Sequence, residues 1–242
     1  MSQSFILAID TAYQTCSAAL LSEDGKAAFY RTEVGGNKHA ERILSMIDEL
    51  LVEAEAPKTA VKLVAFGAGP GSFTGLRVAC GVAQGVAWGL KTEVAAVTSL
   101  EADAQAAADA ADLPAGTRIA VMNDARMQEA YCGLYETAGK GERVKSLAAS
   151  CLVKPADAAK WLEAGEARVF CGSAHAVYKD EMALSADLRE LTVPEDMIVT
   201  LARLGLADEK SGRTMNPALA APLYVRDRVA LTMEERARGE RL

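Results

Sequence analysis

The chain carries one pattern twice, and that duplication constrains its fold more than any local feature. Ile6-Leu-Ala-Ile-Asp10 opens the first half and Ile119-Ala-Val-Met-Asn-Asp124 the second, each an apolar run closed by an aspartate. A second apolar run follows in both, at 17–21 and 130–135, then a turn at Gly25-Lys26 and Gly139-Lys140, with an aspartate-to-lysine spacing of 16 in each half. A third strand-like stretch comes next. After it stand a helical pattern, at 40–54 and 155–164, and an apolar run ending in glycine, at 63–67 and 168–172. Short apolar runs bounded by turn residues read as strands, and self-similarity at this range reads as duplication of one folding unit.

Strand, strand, strand, helix, strand, helix, read twice, is the order of the duplicated ribonuclease-H-like fold. That α/β arrangement belongs to the actin, sugar kinase and Hsp70 superfamily, in which two such domains face each other across a cleft. The analogy of element order predicts domains over 1–108 and 109–242, the second degenerate. A segment over 192–220 is expected to supply a helix returning to the first domain, followed by a turn at 222–226 and a frayed, charged end at 234–242. The 242 residues suffice for a sizeable core, and half are hydrophobic with only five Phe and two Trp, which favours tightly packed α/β layers.

In this fold the strand-ending aspartates point into the cleft. Asp10 has two open readings: holding a metal or water near phosphates, or turning the chain by bonding the backbone two residues on. Asp124 stands two residues before Arg126 and reads as a turn or polar-network residue. Between the aspartates lies the most distinctive stretch of the chain, Gly67-Ala-Gly-Pro-Gly-Ser-Phe-Thr-Gly-Leu-Arg77, after the strand at 61–66 and before a helix that Ser72 or Thr74 caps. A glycine loop at a helix start attracts anions. It nevertheless lacks the Lys-Ser/Thr pair of a P-loop, and Thr74 stands where a dinucleotide fingerprint places its third glycine.

The helix after the loop carries Gly81, Gly85 and Gly89 at a spacing of four, each costing about 1 kcal/mol against alanine. They form a side-chain-free stripe beside Val78, Val82, Val86 and Leu90. The stripe reads either as packing on the protein's own sheet or as contact with a partner helix. The helix at 40–54 has an amphipathic stripe of Ala40, Ile43, Leu44, Ile47, Leu50, Leu51 and Ala54, with Met46 on its flank. Together the two helices suggest a platform for a partner's two helices.

A net charge of −7 and a pI near 5.1 argue against autonomous nucleic-acid binding, so any RNA is held by another subunit. The five cysteines, Cys16, Cys80, Cys132, Cys151 and Cys171, have no CxxC spacing and read as inert buried thiols of a reducing compartment. No basic leader or membrane-length apolar segment is present in the sequence, and a soluble cytoplasmic protein is expected.

Four segments resemble one family: Ile6-Leu-Ala-Ile-Asp-Thr11; the Gly69-to-Arg77 loop with its Gly81-Val-Ala-Gln-Gly85 continuation; Asp124-Ala-Arg-Met-Gln-Glu-Ala-Tyr131; and Pro222-Leu-Tyr-Val-Arg-Asp-Arg-Val-Ala230. They are similar to the TsaB family, also called YeaZ, required to make threonylcarbamoyladenosine beside the anticodon of tRNA. The resemblance implies a degenerate paralogue of the catalytic subunit TsaD that acts as its non-catalytic, activating partner. ATP and a metal are then expected on partner subunits, with no cofactor on this chain. A TsaE-like ATPase is expected to act through the complex, tRNA contact to be indirect, and a homodimer to form when TsaD is absent. TsaD-like enzymes hold their metal with a His-x-x-x-His helix; the matching residues here are His39-Ala-Glu-Arg-Ile43, so the second histidine is missing and neither Glu41 nor Asp48 lies four residues from His39. His39 is therefore expected at a helix start or interface.

The expected partner interface comprises His39, Ile43, Met46, Ile47, Leu50, Arg77, Gly81, Gln84, Gly85 and Trp88. A competing reading is an independent ATP-dependent phosphotransferase using Asp10 and the loop at 69–75. Against it, the region after Gly172 lacks the glycine-rich adenosine-binding element that such an enzyme needs.

Overall fold

The structure is a computed structural model that describes residues 3–34, 39–226 and 238. Its first half contains β1 (Phe5–Asp10), β2 (Thr15–Ser22), β3 (Ala28–Val34), α1 (His39–Glu53), β4 (Val61–Gly69), α2 (Phe73–Leu90) and β5 (Glu93–Thr98), followed by α3 (Ser99–Ala110). The second contains β6 (Arg118–Asp124), β7 (Ala130–Glu136), β8 (Lys145–Ser146), β9 (Cys151–Val153), α4 (Ala158–Ala164), β10 (Val169–Cys171), α5 (Ala174–Met182) and β11 (Arg189–Leu191). The chain then forms α6 (Met197–Lys210) and a short 3₁₀ turn at Pro217–Leu219.

The two sheets have the order β3-β2-β1-β4-β5 and β11-β10-β6-β7-β8, with β9 also paired to β7. Counted from the first strand of each half, both read third, second, first, fourth, fifth. The second strand runs antiparallel to the first, and the fourth parallel to it. This is the ribonuclease-H-like unit, present twice. The second copy is reduced: its third strand is split into β8 and β9, only 2 and 3 residues long.

Every residue of β1 is buried because helices cover both faces of its sheet. Phe5, Leu7 and Ile9 pack with α1 and α2; Ile6 and Ala8, pointing the other way, pack with α6. At the sheet edge β3 alternates exposed and half-buried residues, and Arg31 and Glu33 charge the edge against further strand pairing.

The expected boundary between 108 and 109 falls inside the last turn of α3. Ala102 of that helix packs with the first sheet and α6, whereas Leu100, Ala104, Ala107 and Ala108 pack with β6 and β7. A helix apolar on nearly all sides is a buried one, and its alanines let both halves approach closely. The described part of the final sequence motif, 222–226, runs along the cleft between the halves. Its continuation at 227–230 and the charged end at 234–242, except Arg238, lie outside the described residues. Among the described residues, no helix is long and apolar enough to cross a membrane.

Arg143, in the loop between β7 and β8, joins three elements. It bonds Glu101 of α3 at 2.6 Å and also Asp208 of α6, whose carboxylate is 6% exposed and is shared with Arg213. Removing one partner of a buried ion pair strands the others. Arg143→Met is expected to lower stability by about 2 kcal/mol in urea unfolding, the remaining Arg213 contact limiting the loss.

Candidate functional site

The glycine loop joins the end of β4 to α2 and packs against the β1–β2 turn. Ser72 caps α2, its Oγ accepting the Gly75 N–H at 3.1 Å, and the Ser72 N–H donates to the Ala12 carbonyl at 2.7 Å. The Thr11 hydroxyl donates to the Gly75 carbonyl at 2.7 Å. A Cβ at Gly75 would overlap the Thr11 carbonyl oxygen. The loop's glycine chemistry is thus used for close backbone packing between two turns, and two of its N–H groups are already bonded within the protein.

The strand-ending aspartates form matching turns. Asp10 Oδ1 accepts the Ala12 N–H at 2.6 Å and Oδ2 accepts the Ser99 hydroxyl at 2.8 Å. Asp124 Oδ1 accepts the Arg126 N–H at 2.8 Å and the Tyr178 hydroxyl at 2.7 Å. Both carboxylates therefore bond the N–H two residues on, which is the turn reading. Between them, Asp103 of α3 accepts the Asn123 amide at 2.7 Å. Burial lifts the Asp103 carboxyl to about 7, and nearby Asp10 adds to the rise.

A raised pKa on a buried acid means that the folded chain binds a proton the unfolded chain has released. Stability from this group is full below about pH 4 and falls as pH rises toward 7. We expect a loss of about 2–3 kcal/mol between about pH 5 and pH 8 in urea unfolding, and a flattened profile for Asp103→Asn, which keeps the acceptor for Asn123.

A cleft of about 650 Å³ opens between the halves, lined among others by Tyr13, Ser72, Asp124, Arg126 and Tyr131. The segment at 221–226 crosses it. The Leu223 N–H donates to Ala68 at 2.7 Å on one side; Arg226 donates to the Ala125 carbonyl at 3.0 Å and pairs with Glu129 at 2.6 Å on the other. Among the described residues, no group of three His, Cys, Asp or Glu side chains could hold a metal.

The outer faces of α1 and α2 have a different character. Gly81, Gly85 and Gly89 are exposed, and a Cβ on any of them would meet nothing within 4 Å. Trp88 is 68% exposed, Phe73 48% and, across the groove on α1, Leu44 52%. The groove between the helices holds about 420 Å³ and is walled by Leu44, Ile47, Leu51, Gly85, Val86 and Gly89, among others. Leu219, 72% exposed, sits on the turn that packs against α2, and Gln84 donates to the Ala220 carbonyl at 3.1 Å. Arg77 lies 3.6 Å over the Phe73 ring and donates to the Tyr224 hydroxyl at 3.1 Å.

Several expected interface residues lie elsewhere. Ile43, Met46 and Leu50 have zero exposure and Ile47 5%; all four are core residues beneath α1. Met46 does not add surface on the flank, and Leu44, expected to face inward, faces out. The reason is helical phase: burying 43, 46, 47, 50 and 51 makes one continuous stripe, and Leu44 falls beside it. On α2 the sheet-facing stripe is Leu76, Ala79, Cys80, Ala83 and Ala87, while Val78, Val82, Val86 and Leu90 are only partly buried. The expected residues on the open face are Arg77, Gly81, Gly85 and Trp88, with Gln84 half-buried and bonded within the chain. The His39 side chain lies outside the described residues. Sequence reasoning missed Phe73, Leu44 and Leu219. Phe73 was legible as an apolar residue on the first turn of α2, but Leu219 reaches α2 only through the returning C-terminal segment.

Residues 31–230 match the model of the family "TsaD: tRNA N6-adenosine threonylcarbamoyltransferase". The chain is 42% identical over 126 residues to the tRNA threonylcarbamoyladenosine biosynthesis protein TsaB of Haemophilus influenzae, and 38% identical over 131 residues to that of Escherichia coli. These alignments cover 52% and 54% of this chain, and it spans about half the length of these relatives, 51% and 54%. A solved structure of YeaZ from Pseudomonas aeruginosa superposes with a TM-score of 0.72 at 33% identity, covering 91% of this chain and 99% of that one.

Proposed function

The chain belongs to the TsaB (YeaZ) family, whose curated members take part in tRNA threonylcarbamoyladenosine biosynthesis, and from that membership we propose that it binds and activates a TsaD-like enzyme without catalysing the transfer itself. The reaction assisted is threonylcarbamoyl transfer to the tRNA adenosine beside the anticodon. The observation that carries the reading is the open glycine stripe of α2. Three exposed glycines on a helix sacrifice helical stability and gain nothing inside this chain. They do allow a partner backbone to approach closely, with Phe73, Trp88 and Leu44 supplying apolar anchors around them. Two helices of the partner against α1 and α2 would form a four-helix contact.

In this proposal ATP and the metal reside on partner subunits, a TsaE-like ATPase acts through the complex, and tRNA meets this chain only indirectly. The acidic balance supports that division, since a net charge of −7 opposes phosphate binding. Ile43, at the position of the second metal-binding histidine of TsaD-like enzymes, is wholly buried among apolar residues, so the residues present do not fit the TsaD-type metal centre. A cytoplasmic setting belongs to the same proposal. The open α2 face also suits a homodimer when the partner is missing.

The test is reconstitution of tRNA threonylcarbamoylation from TsaC, TsaD and TsaE with and without this protein, beside calorimetry of ATP with this protein alone. Modification that requires the chain, with no ATP binding by it alone, is the expected result. Modification that proceeds in its absence, with micromolar ATP affinity for the isolated chain, would replace the proposal by the phosphotransferase reading.

A further inference from the structure

Two of the five thiols face each other across a strand pair. Cys132 of β7 and Cys151 of β9 are direct partners in an antiparallel register. Residues so placed project to the same face, with Cα atoms about 4.5–5.5 Å apart. That separation lies inside the range of about 4.4–6.8 Å that a disulfide spans. Both side chains pack into one apolar cluster beneath α4, next to Trp161. The other thiols are elsewhere: Cys16 and Cys80 lie in the core under α1 and α2, and Cys171 on the opposite face of the second sheet.

We propose that Cys132 and Cys151 are a reversible dithiol–disulfide pair, a redox modification site that pins the edge strand β9 to β7. Both are free thiols in the structure. Cys151 is partly exposed and Cys132 wholly buried, which orders the chemistry. With a hydroperoxide as oxidant, the Cys151 thiolate attacks the O–O bond: an S–O bond forms, the O–O bond breaks and water or an alcohol leaves. The Cys132 sulfur then attacks the Cys151 sulfenic sulfur. The S–S bond forms, the S–O bond breaks, and water departs with the Cys132 proton. Two thiols are oxidised and one peroxide is reduced.

Burial pushes both thiols up, Cys132 further, where the neighbouring Cys151 adds to the rise, and both lie in the same apolar cluster. Thiolate is therefore scarce at neutral pH, and the reaction accelerates about tenfold per pH unit below the thiol pKa. The closed ring includes residues 146–150, whose Ser146 and Ser150 wall the groove beside Leu223 and Tyr224. Oxidation thus stiffens one side of the segment that crosses the cleft.

The experiment uses the full chain, reduced and then treated with hydrogen peroxide under native conditions. Intact mass and peptide mapping after alkylation are expected to give a loss of about 2 Da, one linked pair, Cys132 with Cys151, and complete reversal by a dithiol. The oxidised chain is expected to melt at a higher temperature. Cys151→Ser and Cys132→Ser should each abolish the mass loss; should the buried Cys132→Ser fail to fold, Cys151→Ser at the sheet edge carries the control. Two thiols that stay fully alkylatable, a bond to any other cysteine or to a second chain, or accumulation of sulfinic acid without a disulfide would overturn the proposal.

Discussion

Leucine in place of Gly85 is expected to leave a folded chain that no longer assembles with a TsaD-like subunit. Gly85 is exposed, and the position of its absent Cβ is open on every side, so the folded chain has room for the added side chain. Replacing a helical glycine also recovers helix propensity of up to about 1 kcal/mol, so the melting temperature should hold or rise. At a close helix–helix contact the same atoms force the partner backbone outward. Loss of packing there costs about 3 kcal/mol or more, a weakening of at least about 100-fold by calorimetry or gel filtration. Gly81→Leu should behave alike. A variant that melts far below the parent would show that the stripe faces the core, and unchanged assembly would remove the α2 face from the interface.

Gly75, in the same motif, should respond in the opposite sense. A Cβ there would overlap the Thr11 carbonyl oxygen, a backbone atom that cannot swing aside. Thr11 donates to the Gly75 carbonyl and Ser72 to Ala12, so moving one turn disturbs both bonds. Gly75→Val is expected to destabilise the chain by about 3–4 kcal/mol in urea unfolding, with assembly lost only as far as folding is lost. A well-folded Gly75→Val chain would mean that the two turns are not in close contact. The pair of substitutions separates two uses of glycine ten residues apart on one helix: one admits a neighbour within the chain, the other leaves space outside it.

Much of the architecture was legible because it is written twice. The aspartate-ended runs at Asp10 and Asp124 mark the first strand of each half, and their side chains make equivalent turns to Ala12 and Arg126. The split third strand of the second half was not legible, since pieces of 2 and 3 residues are too short to carry an alternating pattern. On α1 the candidate surface was misread at Ile43, Met46, Ile47 and Leu50, because an amphipathic stripe identifies what is buried and these residues are that stripe. The surface a partner could use is what remains, including Leu44, and a residue beside a stripe has no periodic signal of its own.

The sequence by itself determined the order of elements along each half, the capped helix after the glycine loop, and the family to which the chain belongs. Periodicity could not choose between two stripes of α2. Gly75, Ala79, Ala83 and Ala87 are spaced by four, and so are Gly81, Gly85 and Gly89. Both are rows of small residues, and either could lie on the sheet. The tertiary structure decided in favour of the first, because Leu76 and Cys80 extend it with apolar side chains that the sheet buries and because the Thr11–Gly75 contact fixes the rotation of the helix at its start. The second row was then left open to solvent. That choice depends on contacts between residues 64 positions apart, which local sequence cannot express.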